Sequence, residues 1–231
     1  MPEGLLLVNK PADVTSHDVV QAARRKLGIR RIGHTGTLDP MAEGLLILLV
    51  GRATQHQQAF QTHEKLYEAE VRFGTQTDTG DATGQPIKTA PVLVLERTRV
   101  EAVLKRFEGP LSQTPPAYSA VKVQGRPAYW WARRNQPVVL AARIVHLFEL
   151  TLVQLGSDTI VFRVRCSAGT YVRTLAESIA EQLGTVGHLT KLVRLRIGRW
   201  SLEDSQSLAW LIDATPEALS HQLQPIPSTA Q

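Results

Sequence analysis

Residues 33–40 read GHTGTLDP and place one carboxylate, Asp39, directly before a proline. Pro40 pushes the residue before it into extended backbone. Gly33 and Gly36 admit turn geometries that other residues resist. The short side chains of Thr35 and Thr37 can hydrogen-bond the loop from within. Such a loop would project a single acid from a fixed frame. The same residues also suit a polar turn in which Asp39 merely closes an Asx-turn, and the stretch alone does not choose between the two readings.

A lone carboxylate restricts the chemistry. Glycoside hydrolysis needs two acids flanking the bond, and residues 33–40 hold one. The triplet DTG at residues 78–80 suggests an aspartic protease, but that mechanism needs two carboxylates sharing a proton and the triplet occurs once. Neither a G-x-G-x-x-G nor a G-x-x-x-x-G-K-[ST] pattern is present, which argues against dinucleotide and P-loop enzymes. The one cysteine, Cys166, excludes an intramolecular disulfide and a Cys-rich zinc site. It could serve as the nucleophile of a uracil C5 methyltransferase. It also shares a strand face with Ile160, Phe162 and Val164, which reads as a small core residue. The seven histidines lack metal-ligand spacing.

The elements that must hold these residues can be read from periodicity. Residues 5–8 form a short buried strand. Ser16 caps a helix that ends at Gly28, with Arg24, Arg25, Lys26, Arg30 and Arg31 at its end and just beyond. GLLILLV at residues 44–50 is apolar at every position and reads as a strand buried on both faces. YEAEVRFG alternates, with Tyr67, Ala69, Val71 and Phe73 inward. Residues 75–86 read as a polar loop. Thr98 and Glu101 have capping-box spacing for a helix ending near Gly109. Pro127 opens a short helix with Tyr129, Trp130, Trp131, Arg133 and Arg134. Its aromatics either pack inward or stack bases. Strands span residues 138–155 and 160–166. A helix follows from about residue 171, with Tyr171 and Arg173 in its first turn and Gly184 as its stop. Residues 219–231 read as a loose tail. Strands and helices mix without strict alternation, so the class is α+β with a mixed, largely antiparallel sheet and flanking helices.

Composition adds bounds. The chain has 231 residues, and a 43% hydrophobic share is enough to build a core. Apolar runs stop far short of the ~20 residues of a membrane span, and the N-terminus lacks a signal-peptide pattern. A soluble cytoplasmic protein is expected. The net charge of +5 leans weakly towards a polyanionic partner.

Residues 33–55, GHTGTLDPMAEGLLILLVGRATQ, resemble the signature of the bacterial TruB family of tRNA pseudouridine-55 synthases. LLVNKPADVTSHDVV (6–20), KLYEAEVRFGTQTDTGDATG (65–84), TPPAYSAVKVQGRPAYWWAR (114–133), VRCSAGTYVRTLAESIAEQLG (164–184) and GHLTKLVRLRIGRWSLED (187–204) resemble further family motifs in the same order. The resemblance runs from about Gly4 to Leu211.

That resemblance implies a pseudouridine synthase fold and conversion of uridine 55 in the tRNA T-loop without metal, redox cofactor or methyl donor. It assigns Asp39 as the catalytic aspartate and Tyr67 as the tyrosine stacked on the target base. Arg173 becomes the carboxylate's partner, with Tyr171 two residues before it. Leu192 lines the base pocket, His34 fills space beside the extruded nucleotides, and Lys10 supports the active-site loop. It implies a catalytic domain over residues 1–211, with an RNA-clasping thumb around residues 110–137. Residues 212–231 are then a C-terminal tail without the PUA-type domain common in bacterial members. The implied partner is the tRNA T-arm stem-loop, with no membrane and a monomeric chain. Two positions depart from the family pattern: Asp13 stands where glycine is usual, and Ala168 where lysine is common. The rival readings are a non-enzymatic RNA-binding or tRNA-folding module and a uridine C5 methyltransferase acting on the same loop.

Overall fold

In the computed structural model, described here for residues 2–92, 94–136 and 138–226, the apolar run of residues 44–50 lies within β3 (Glu43–Val50). β3 runs antiparallel to β1 (Gly4–Lys10), from Gly4 opposite Val50 to Lys10 opposite Gly44. Between them lie α1 (Ser16–Leu27) and β2 (Ile32–His34), which also pairs with β3. A 3-10 turn (Gly51–His56), α2 (Gln57–Thr62) and β4 (Lys65–Phe73) follow. Every side chain of residues 45–50 is buried because both faces of β3 are covered. Leu46, Leu48 and Val50 pack with Leu6, Val8 and the Val19, Val20 and Ala23 side of α1. Leu45, Ile47 and Leu49 pack with Leu5, Leu7, Phe60 and Trp200.

The chain then forms β5 (Thr75–Thr77), β6 (Pro86–Thr89), α3 (Arg97–Arg106), β7 (Gly109–Gln113), β8 (Lys122–Val123), β9 (Arg126–Pro127), α4 (Ala128–Ala132), β10 (Arg143–Leu155), β11 (Thr159–Cys166), α5 (Val172–Gln182) and β12 (Gly187–Ile197). It closes with β13 (Trp200–Ser201), a 3-10 turn, β14 (Gln206–Ser207), α6 (Leu208–Asp213) and α7 (Pro216–His221).

These elements divide into two compact units. The first holds residues up to Tyr67 and from Leu192 onward, and the second holds Glu68–Lys191. In the first the strand order is β14-β1-β3-β12, with β2 against β3 and β13 against β12. β12 is parallel to β3, and β14 is parallel to β1. In the second the order is β12-β4-β11-β10-β7, with antiparallel pairing of β10 to β11 and to β7. β4 and β12 carry the chain from one unit to the other. The class is mixed α+β, with the large sheet and flanking helices the sequence implies.

Several local expectations change. Thr15, not Ser16, caps α1, through a reciprocal capping box with Asp18. Gly28 ends that helix in the left-handed conformation, as expected. α3 starts at Arg97 after Glu96, with no side-chain cap, so Thr98 and Glu101 form no capping box. Residues 75–89 hold a short hairpin of β5 and β6 instead of only a loop. The strand expected from residue 138 begins at Arg143, and Pro137 lies outside the described residues. The expected loose tail is built in as far as Gln224: Leu219 is buried, and Gln224 exchanges two backbone hydrogen bonds with Leu5, 2.8 and 2.9 Å. The remainder, residues 227–231, lies outside the described residues. Among the described residues, no helix is long and apolar enough to cross a membrane.

Candidate active site

In the first unit, Asp39 sits on the loop between β2 and β3. The main-chain oxygens of five consecutive residues there each accept a hydrogen bond. Gly36 O and Thr37 O accept from the Arg194 guanidinium at 3.0 and 3.5 Å. Leu38 O accepts from Ser16 Oγ at 3.2 Å, and Leu38 N donates back to the same hydroxyl at 2.9 Å. Asp39 O accepts from Ala42 N at 3.1 Å. Pro40 O accepts from Asp13 N at 2.9 Å and from Lys10 Nζ at 3.2 Å. Asp13 makes its bond with φ of 62°, in the left-handed region where glycine is easiest. Aspartate tolerates that region better than most residues, so the departure at this position keeps a left-handed turn.

Lys10 is fully buried at the end of β1. It donates to Pro11 O, Val14 O and Pro40 O, which matches the three donors of an ammonium group. Burial pulls its pKa down to about 8. Glu43 opposes that shift, Arg194 adds to it, and Asp39 and Asp13 oppose it. His34 ends β2 half-buried, and its pKa is lowered by burial first and then by Arg194 and His17. These causes all favour the neutral ring, which suits a space-filling role better than a charged one. Its Nδ1 is buried without a hydrogen-bond partner. The same unit holds Tyr67, half-buried in β4, and Leu192, buried in β12.

The second unit holds the other two expected residues at the start of α5. Tyr171 is the N-cap residue, and the Gln113 side-chain amide engages both of its main-chain groups: Tyr171 N donates to Gln113 Oε1 at 3.0 Å, and Gln113 Nε2 donates to Tyr171 O at 3.3 Å. Arg173 is buried. Its two terminal nitrogens donate to Thr79 O at 2.7 Å and Tyr118 O at 2.8 Å. Asp81 Oδ2 lies 3.8 Å away, also buried. Thr79 and Thr83 hold that carboxylate through Oδ1.

Sequence reasoning missed four of these supports. Arg194 follows Leu192 by two residues on one strand, so alternation could have placed it on the same side, a weak signal for a charged side chain. Asp81 lies beside the triplet weighed as a protease signal and inside the motif of residues 65–84, where no role was read for it. Ser16 was read as a helix cap. Gln113 carried no local signal, because its partner is distant in sequence. The aromatics of α4 are partly open: Tyr129 is exposed, while Trp130 and Trp131 are half-buried. The Arg134 guanidinium lies 3.7 Å from the Trp130 ring centroid. A polar cavity of about 310 Å³ beside α5, lined by Gln76, Lys88, Glu177 and Glu181, contains none of the expected site residues. Among the described residues, no three His, Cys, Asp or Glu side chains group as metal ligands.

The family model described as TruB family pseudouridylate synthase (N terminal domain) matches residues 24–172. The chain belongs to this family. It is 46% identical over 224 residues to tRNA pseudouridine synthase B of Burkholderia lata, covering 97% of this chain and 69% of the relative. It is 44% identical over 206 residues to tRNA pseudouridine synthase B of Hydrogenovibrio crunogenus, covering 89% of this chain and 68% of the relative. Among solved structures, a Cbf5-Nop10-Gar1 complex has a chain similar to this one, with a TM-score of 0.72 and 28% identity. That match covers 96% of this chain and 60% of the other, so this TruB family chain spans about three fifths of that structure's chain.

Proposed function

We infer that this chain is a tRNA pseudouridine-55 synthase, an isomerase acting on uridine 55 in the T-loop. The reaction breaks the bond from ribose C1′ to uracil N1 and forms one from C1′ to C5. The proton on C5 is lost, and N1 gains one. The product has the mass of the substrate, and the balance needs no oxidant, reductant or methyl donor. In this reading Asp39 is the catalytic carboxylate and Tyr67 stacks on the base. Leu192 lines its pocket, Arg173 partners the carboxylate with Tyr171 beside it, and His34 occupies space next to the extruded nucleotides. Lys10 holds the loop. Extruding the base from a folded loop costs about a few kcal/mol, which stacking and phosphate contacts offset. A cytoplasmic, monomeric enzyme on the T-arm goes with this substrate.

The observation that carries the reading is the frame around Asp39, in which the carbonyls of residues 36–40 all have donors. An ordinary surface turn leaves such oxygens to water. A carboxylate that must meet a reacting carbon needs a backbone that does not move, because misplacement by about 1 Å can cost 10²-fold in rate. The methyltransferase alternative lacks support, since its required nucleophile, Cys166, has no exposed surface.

The test uses a T-arm stem-loop tritiated on uracil C5, with no cofactor added. Wild type should release tritium to water, and Asp39→Asn should release none above background. Equal release by the two proteins refutes the role of Asp39.

A further inference from the structure

The Arg194 side chain is 1% exposed and is one of the largest fully buried side chains. Its register partner in β12–β3 pairing is Gly44. Gly44 has φ of 103°, and a Cβ there would lie 2.4 Å from Arg194 O, so the two strands approach as closely as only glycine allows. From that position the guanidinium donates to Leu45 O at 2.7 Å, Gly36 O at 3.0 Å and Thr37 O at 3.5 Å. It thus bridges the chain just before Asp39 to the strand that follows.

We propose that Arg194 is a positioning residue for the reaction, one that sets the Asp39 loop by clasping its main chain at Gly36 and Thr37 and anchoring it to β3 at Leu45. The argument rests on the reading of Asp39 as the catalytic acid. Burying an arginine is costly unless its N–H groups find acceptors, and a planar fork with fixed donor directions reaches three carbonyls that lysine cannot reach together. The loop carbonyls need a donor and the buried cation needs acceptors, so each meets the other's requirement. The guanidinium is also a fixed positive charge that depresses the pKa of both His34 and Lys10. This gives it a spectroscopic signature separate from packing.

The experiment measures single-turnover tritium release and RNA affinity for Arg194→Lys and Arg194→Met, with folding checked by circular dichroism. The expected result is a rate constant lower by about 10²-fold with affinity within about threefold of wild type, since misplacement acts on the chemical step. In Arg194→Met, the His34 titration followed by NMR should move upward, because the repelling charge is gone. In Arg194→Lys it should stay near wild type. Wild-type rates in both folded variants overturn the proposal, as does a loss confined to RNA affinity.

If both variants misfold, an α-hydroxy acid in place of Thr37 weakens the Gly36 carbonyl as an acceptor, removes the Thr37 N–H and leaves Arg194 intact. It should slow turnover and speed hydrogen exchange at the Leu38 amide, and an unchanged rate and exchange overturn the proposal. Should wild type itself release no tritium, the isomerase reading falls. Faster Leu38 exchange in Arg194→Lys still decides whether Arg194 sets the loop.

Discussion

Lys10 joins a depressed pKa to a role that needs its charge. Protonated, it supplies three donors to three carbonyls, and deprotonated it has only two. Turnover should therefore fall as pH rises through about 8, the value to which burial lowers it. Stability should move the other way. In the unfolded chain the ammonium holds its proton up to the ordinary value of 10.5. Between about 8 and that value the unfolded state binds more protons, so this group's contribution to stability rises with pH. Comparing the unfolding free energy of wild type and Lys10→Met across that window checks the sign, and a falling difference refutes it. Arg173 allows a second prediction. Its two nitrogens serve Thr79 O and Tyr118 O, and lysine cannot span both. Arg173→Lys should lose at least tenfold in single-turnover rate, a loss of about 1.4 kcal/mol.

At the level of elements, β12 and β3 come close together at Gly44. Gly44→Ala meets both a positive φ and a backbone oxygen 2.4 Å away. It should destabilise by about 2–4 kcal/mol, the sum of left-handed strain and overpacking. Urea unfolding measures this, and a cost under about 1 kcal/mol would contradict the geometry. Such contacts explain what sequence reading could and could not supply. The run of residues 44–50 announced a doubly covered strand because its apolar pattern has no polar face. Gly28 announced the end of α1 because left-handed caps favour glycine. The N-cap of α1 was misplaced by one residue because Thr15 and Ser16 are both competent caps. Ser16 is instead engaged at Leu38, a contact 22 residues away that no local pattern encodes. Asp39, Tyr67, Arg173 and the other candidates were legible through motif resemblance. The supports that hold them (Gln113, Asp81, Arg194) were not, because side-chain-to-backbone contacts at long range leave no periodic trace.

For the molecule as a whole, the net charge of +5 and the arginines around α4 bear on RNA affinity. T-arm binding should weaken with salt, and Arg134→Ala should reduce the slope of log K against log salt by about 0.7–0.9 if it meets a phosphate. Trp130→Ala should lower affinity by about 1–3 kcal/mol with the slope unchanged if the ring stacks a base. Filter binding across a salt series separates the two, and a Trp130→Ala protein of wild-type affinity would leave α4 a purely structural helix.

The clasps described around Asp39 land on main-chain atoms, which nearly every amino acid supplies alike. The loop's anchorage is therefore indifferent to the side chains it carries. Thr37, which is exposed, can vary without untying it, so long as Gly36 keeps its turn, whereas Thr35 is packed inside at 1% exposure. A library randomised at Thr37 should retain many folded members that differ in which RNA they accept, and one randomised at the buried Thr35 should retain few. In such a site, the spelling of the loop is open to selection for substrate while its posture is inherited from the scaffold.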